Sequence, residues 1–218
     1  MADRKARIVE NQLTGLHLNI DGHDLYSRLI GEFNASNLLA VYTVATLLGE
    51  PAMNVLTALS DLQPPRGRFQ IVRGTSGVIG IVDYAHTPDA LKNVLGAISE
   101  IITRNEQVIT VVGAGGDRDK TKRPEMAKEA VLASDKVILT SDNPRTENPA
   151  QIIKDMEAGV PAQYKNKVVS IENRREAIKT AALIARPGDI ILIAGKGHEN
   201  YQDVNGVKHH FDDKEEIQ

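Results

Sequence analysis

Four short stretches of the chain concentrate side chains that can grip a charged small molecule. They are Asp83-Tyr-Ala-His-Thr-Pro88, Gly113-Ala-Gly-Gly-Asp-Arg-Asp-Lys-Thr-Lys-Arg-Pro124, Ser141-Asp-Asn-Pro-Arg-Thr-Glu147 and Gly195-Lys-Gly-His-Glu-Asn-Tyr-Gln202. Together they offer Asp83, His86, Arg118, Asp142, Arg145 and Glu199. Arginine grips carboxylate or phosphate through parallel N–H donors, whereas Asp and Glu accept from ammonium. The set suits a ligand that carries an anionic group and the two ends of an amino acid. The glycines at 113, 115 and 116 let the backbone turn sharply and come close to a ligand. The charges after them are mixed, which suits a zwitterion better than a bare phosphate.

Two phosphate motifs are absent. A P-loop needs Gly-x-x-x-x-Gly-Lys followed by Ser or Thr, and no such string occurs. A dinucleotide fingerprint starting at Gly113 would need a third Gly at position 118, which is Arg. Each stretch also has an ordinary reading. Asp83 or Thr87 could cap a helix starting at Pro88, and Asn143-Pro144 is a common turn signal. Gly195-Lys-Gly197 could be a plain turn with a solvated lysine, and His198 a surface histidine.

The elements that must position these residues follow from periodicity. Residues 6 to 30 alternate apolar and polar around an Asp21-Gly22 turn signal, which predicts a small antiparallel β-piece. Phe33 to Leu48 and Pro51 to about Leu62 read as helices. Gln63-Pro-Pro-Arg-Gly-Arg68 breaks the pattern and marks a domain boundary. Strands are then predicted at Phe69–Val72, Val78–Val82, Val108–Val112, Lys136–Thr140, Lys167–Ser170 and Ile190–Ala194. Helices are predicted near Pro88–Arg104, Glu125–Ala133, Pro149–Ala158 and Arg174–Ala185. Short all-apolar strands such as Ile190-Ile-Leu-Ile193 imply a sheet covered on both faces. The alternation implies an α/β fold with a Rossmann-like, doubly wound, mostly parallel sheet. Ligands sit beyond the carboxyl ends of such strands, and all four stretches follow predicted strands.

Composition narrows the function classes. A net charge of −3 gives no electrostatic footprint for nucleic acid, and 4% aromatics without Trp supply no base-stacking platform. The absence of cysteine removes disulfides, thiolate nucleophiles and Cys-based metal sites. No apolar run is long enough to cross a membrane. A cytoplasmic setting is therefore permitted, with no nucleic acid or membrane among the expected partners.

The order and spacing of Asp83-Tyr-Ala-His-Thr-Pro-Asp-Ala-Leu91, Gly115-Gly-Asp-Arg-Asp-Lys120 with Lys122-Arg-Pro124, Asp142-Asn-Pro-Arg145 and Gly195-Lys-Gly-His-Glu199 resemble the Mur ligases. These are ATP-dependent amino-acid-adding enzymes of peptidoglycan synthesis, and the likeness is to the branch that adds meso-diaminopimelate. It runs over nearly the whole chain. It implies that residues 1–65 are a small α+β remnant of the central ATPase domain and residues 66–218 the C-terminal amino-acid-binding domain. It implies ATP and Mg2+ as cofactors of a full-length enzyme, with meso-diaminopimelate and UDP-MurNAc-L-Ala-D-Glu as further substrates. The family's P-loop and its carbamylated, magnesium-holding lysine have no counterpart in the 218 residues. The expectation is a truncated chain with no catalytic residue and no metal site of its own, inactive alone.

By the same resemblance, Arg118, Asp142, Asn143, Pro144, Arg145, Gly195 and Glu199 contact diaminopimelate. Arg68, Asp83 and His86 approach ATP, as do Asn34 and Asn37 on their helix, although Asn34 could equally cap that helix. Diaminopimelate has a second carboxylate that lysine lacks, so a buried Arg145 left unpaired would select against lysine. The alternatives are a lysine-adding enzyme and a non-catalytic Rossmann-like module that binds an amino acid or nucleotide.

Overall fold

The structure is a computed structural model and describes residues 4–103 and 105–218. The chain divides into two compact units. One comprises the residues up to Pro64 together with Ala97–Ile102; the other comprises Pro65–Gly96 and the chain from Thr103 onward.

In the first unit, β1 (Ala6–Gln12), β2 (Gly15–Ile20) and β3 (His23–Ser27) form an antiparallel sheet in that order. Asp21 and Gly22 both take positive φ, 49° and 87°, as a tight hairpin between twisted strands requires. The alternation of β2 sends Leu16, Leu18 and Ile20 inward. They meet Leu38 and Tyr42 of α1 (Glu32–Leu47) and Leu56 and Leu59 of α2 (Ala52–Ser60) in one apolar cluster. Gly31 is the N-cap of α1, so Asn34 stands one turn inside the helix and does not cap it. Its side-chain amide donates to Ile30 O at 2.7 Å.

In the second unit, β4 (Gln70–Arg73), β5 (Ile79–Asp83), β6 (Val108–Ala114), β7 (Lys136–Ser141), β8 (Val168–Ser170) and β9 (Ile190–Ala194) form one sheet in the order β4-β5-β9-β6-β7-β8. Only the β4–β5 pair is antiparallel; the other pairs are parallel. Every residue of β6 and β9 is buried, as expected of strands covered on both faces. One face carries Ile109, Val111, Ile138, Ile191 and Ile193 against Ala177, Ile178 and Ala181 of α6 (Arg174–Ile184). The other is covered by α4 (Lys122–Ala133) and α5 (Pro149–Glu157), which pack on β6 and β7. The expected Rossmann-like α/β fold is thus the observed one.

Several boundaries differ from the sequence expectation. Phe69 is not in a strand but takes a left-handed φ of 43°, and β5 starts at Ile79 rather than Val78. α4 begins at Lys122 rather than Glu125, because a proline inside the first helical turn forfeits only an N–H that has no helical partner. α3 (Pro88–Ile101) is capped by Thr87, whose Oγ1 accepts from Ala90 N at 3.2 Å; its expected end at Arg104 lies outside the described residues. After β9 the chain adds a hairpin, β10 (Tyr201–Val204) and β11 (Val207–His210), and a short α7 (Asp213–Ile217) that the periodicity did not reveal.

Candidate functional site

The parallel strands β5, β9, β6 and β7 end on one edge of the sheet, and their four exit loops meet there. Gly195 N donates to Asp83 O at 3.1 Å, tying the β9 exit to the β5 exit. Gly116 N donates to Asn143 O at 2.9 Å, tying the β6 exit to the β7 exit. Asn143 Nδ2 donates to Glu199 Oε2 at 2.8 Å, closing β7 onto β9. Lys122 Nζ donates to His86 O at 3.1 Å. Asp83, His86, Arg118, Asp142, Asn143, Pro144, Arg145, Gly195 and Glu199 therefore share one rim. Asn34 belongs to the other unit.

Two glycines make the approach possible. A Cβ on Gly116 would lie 1.9 Å from Pro144 O, so the β6 and β7 loops touch only because residue 116 has no side chain. Gly195 has φ +118°, and a Cβ there would lie 2.5 Å from Asp142 Oδ2. Its bareness leaves the Asp142 carboxylate its place in the rim.

Arg145 is held in an unusual backbone conformation, with φ 51°. A non-glycine residue in this left-handed region costs of order 1 kcal/mol or more and persists only where its surroundings enforce it. The late hairpin does so. Arg145 N donates to Asp203 O at 3.0 Å, and Asn205 N donates to Arg145 O at 2.8 Å. The side chain then turns to the glycine loop, where Nη1 donates to Gly116 O at 2.7 Å. Arg118 flanks the same loop: a Cβ on Gly115 would lie 2.9 Å from Arg145 Nη1 and 3.8 Å from Arg118 Cγ. Both arginine side chains thus stand at Gly115. Arg145 is half-buried with Gly116 O as a partner, so the unpaired-charge penalty expected of a fully buried Arg145 is reduced. Arg118 is exposed.

The other charges of the glycine stretch are structural. Asp117 accepts from Thr146 N and Oγ1 at 3.2 and 2.8 Å, and Asp119 accepts from Thr121. Arg123 is fully buried, with Nη1 donating to Glu147 Oε2 at 3.0 Å and Asp155 Oδ2 at 2.8 Å, and Nη2 to Glu147 Oε1 at 2.8 Å. Glu147 also accepts from Asp117 N at 2.6 Å. The Arg123 guanidinium, with these N–H donors, holds the Glu147 carboxyl down to about 2. This network braces the loops that carry Arg118 and Arg145.

The acid side of the rim rests on Lys196, for which a plain turn with a solvated side chain is one of the readings the sequence allows. Lys196 is fully buried, and its Nζ donates to Asn143 Oδ1 at 3.0 Å and lies 3.6 Å from Glu199 Oε2. Burial pushes its pKa below the ordinary lysine value, against the pull of Asp142 and Glu199. Beneath it, buried Arg174 donates to both oxygens of Asp213 at 2.7 Å and to Ala194 O at 3.1 Å, which pins α7 to the end of β9. Burial also raises the Asp83 pKa, opposed by the N–H groups of Phe69 and Ala85. Asp83 Oδ2 accepts from Phe69 N at 2.7 Å and so fixes the Arg68 segment. The exposed Arg68 guanidinium lies 4.8 Å from the centre of the Tyr84 ring. A cavity of about 360 Å³ beside Ser141, Pro144, Arg174 and Gln202 is lined by neither Arg118 nor Arg145 nor Glu199, so it is not the rim itself.

The family model described as Mur ligase, glutamate ligase domain, matches residues 67–197, and the chain belongs to the Mur ligase family. It is 58% identical, over 99% of its length, to the UDP-N-acetylmuramoyl-L-alanyl-D-glutamate--2,6-diaminopimelate ligase of Bacteroides thetaiotaomicron, of which it covers 45%. It is 48% identical, over 95% of its length, to the ligase of the same name from Lactiplantibacillus plantarum, of which it covers 42%. A solved structure of a ligase bearing this name superposes with a TM-score of 0.71 at 41% identity, covering all of this chain and 45% of that one. Folylpolyglutamate synthase from Thermotoga maritima shares the fold at a TM-score of 0.68 and 20% identity over 88% of this chain and 44% of its own. The chain spans about half the length of the curated relatives it matches.

Proposed function

We propose that the chain is the amino-acid-recognising portion of an ATP-dependent ligase that joins meso-2,6-diaminopimelate to UDP-MurNAc-L-Ala-D-Glu. One observation carries this reading. Two arginines converge on Gly115, while Asp142 and Glu199 flank Gly195 and Asn143 along the same rim. That is the complement of a molecule with carboxylates and ammonium groups at both ends. Arg118 and Arg145 take the carboxylate that lysine lacks, and Glu199 and Asp142 take an ammonium. The names of the two ligases from Bacteroides thetaiotaomicron and Lactiplantibacillus plantarum fit this assignment.

On this reading residues 66–218 are the amino-acid-binding domain and residues 1–65 the end of a central ATPase domain. ATP phosphorylates the terminal carboxylate of the acceptor; the free amine of diaminopimelate attacks that acyl phosphate, and the tetrahedral intermediate expels phosphate. The rim's part is to orient the amine and hold its carboxylates away from the acyl phosphate. Arg68 is an exposed guanidinium able to meet an ATP phosphate, and Asp83 holds its segment in place. Asn34 and His86 are assigned near ATP on the strength of the family pattern. Among the described residues no three Asp, Glu or His side chains gather as a metal cage.

Titration calorimetry of the 218-residue chain with meso-diaminopimelate and with L-lysine tests the assignment. Tighter binding of diaminopimelate is expected. Equal affinities, or heat from neither, would leave a Rossmann-like module without this specificity. The chain mixed with ATP, diaminopimelate and the UDP-linked acceptor should release no ADP.

A further inference from the structure

Resting on that reading of the rim, we infer that Lys196 is a positioning residue that fixes the side-chain amide of Asn143 and, through it, the carboxylate of Glu199. Lys196 touches no ligand in this account; it sets the direction in which two ligand-facing groups point.

Hydrogen-bond directions fix the amide. An asparagine side chain has one acceptor oxygen with two lone pairs and one NH2 donor, and its orientation follows from its neighbours. Both lone pairs of Asn143 Oδ1 are taken, by Lys196 Nζ at 3.0 Å and by Asp203 N at 2.9 Å. A flipped amide would face its NH2 toward an ammonium and an N–H, and its oxygen toward a carboxylate. The flip is therefore closed, and Nδ2 donates to Glu199 Oε2 at 2.8 Å. Among the described residues Glu199 Oε1 makes no hydrogen bond, so it remains to accept from a ligand ammonium. Without the lysine, only Asp203 N and the Glu199 carboxylate would hold the amide in this direction, one contact fewer than in the intact rim.

Charge supports the same role. A fully buried ammonium is costly unless paired, so its presence under this rim calls for an explanation. Arg174 and Asp213 cancel each other in a bidentate pair. Lys196 then offsets one of the two carboxylates Asp142 and Glu199, leaving the other for the ligand. The Tyr201 ring, 5.6 Å from Nζ, closes a further side of the ammonium.

The test uses the 218-residue chain and two measurements. In the unliganded protein, the Asn143 side-chain NH2 signals should form one slowly exchanging pair, and Lys196→Met should broaden or double them. Diaminopimelate affinity of that variant should fall about tenfold or more, the scale of a lost hydrogen bond to a charged group. Lys208→Met, which removes an exposed ammonium over the same Tyr201 ring, should change neither measurement. Unchanged amide signals in a folded Lys196→Met protein overturn the proposal, as does unchanged affinity. If that variant does not fold, the unaltered chain decides: the Lys196 ammonium protons should exchange slowly, and rapid exchange overturns it. Should the unaltered chain take up no diaminopimelate, the assigned function fails, while the amide signals still decide what Lys196 does.

Discussion

Replacing Arg123 with methionine should destabilise the second unit by about 3 kcal/mol, the low end of what breaking a buried ion pair costs. The low end applies for two reasons. The carboxylates left behind, Glu147 and Asp155, keep side-chain exposures of 16% and 29% and can turn to water. Among the described residues Arg123 Nε has no partner, so its removal also relieves a buried unsatisfied donor. The assay is native-state hydrogen exchange of the β6 and β7 amides at neutral pH, which reports this unit alone. In a thermal melt the same loss corresponds to roughly 6–12 °C for a chain of this size. Acid should narrow the gap. The folded Glu147 titrates at about 2 against an ordinary 4.5, so its stabilisation is complete above about 4.5 and is lost as pH falls toward about 2. The variant lacks the guanidinium that causes this depression, so its stability should fall less over that window. A loss under about 1 kcal/mol at neutral pH, or a gap that does not narrow in acid, would refute the bracing role.

Other expectations follow from the same geometry. Gly116→Ala should part the β6 and β7 loops, since its methyl would sit 1.9 Å from Pro144 O; stability should fall and the Arg145 guanidinium protons, now held by Gly116 O, should exchange with solvent faster. Asn173→Ala should cost about 1 kcal/mol, because the Asn173 side chain accepts from Glu176 N at the start of α6, and a denaturant titration would read it. Arg145→Ala in a full-length ligase should raise the KM for diaminopimelate far more than that for ATP; a change confined to ATP would contradict the assignment.

Much of the second unit was legible because its signals are local. The strand β9 and the strand β6, apolar but for Thr110, could only be buried from both sides, and the alternation of strand and helix then put the exits of the parallel strands on one edge. What escaped reading depends on partners far along the chain. Lys196 between two glycines carries no mark of burial; its hydrogen-bond partner Asn143 lies 53 residues away, although Glu199, 3.6 Å from Nζ, is close in sequence. Arg123 likewise reads as one of the mixed charges after the glycines until Glu147 and Asp155 arrive beside it. The hairpin that clamps Arg145 is absent from the expected elements, although it carries a local cue. Asn205-Gly206, both at positive φ and flanked by Tyr201–Val204 and Val207–His210, is a strong hairpin signal that lay outside the alternating region. The strained φ of Arg145 had no local cue, because the hairpin, 60 residues later, enforces it.

The most direct test of the central claim is the structure of this chain with meso-diaminopimelate bound. One carboxylate should lie between the guanidinium groups of Arg118 and Arg145, with an ammonium against Glu199 and Asp142. A ligand seated away from Gly115, or one reversed so that its carboxylates face Glu199, would contradict the account.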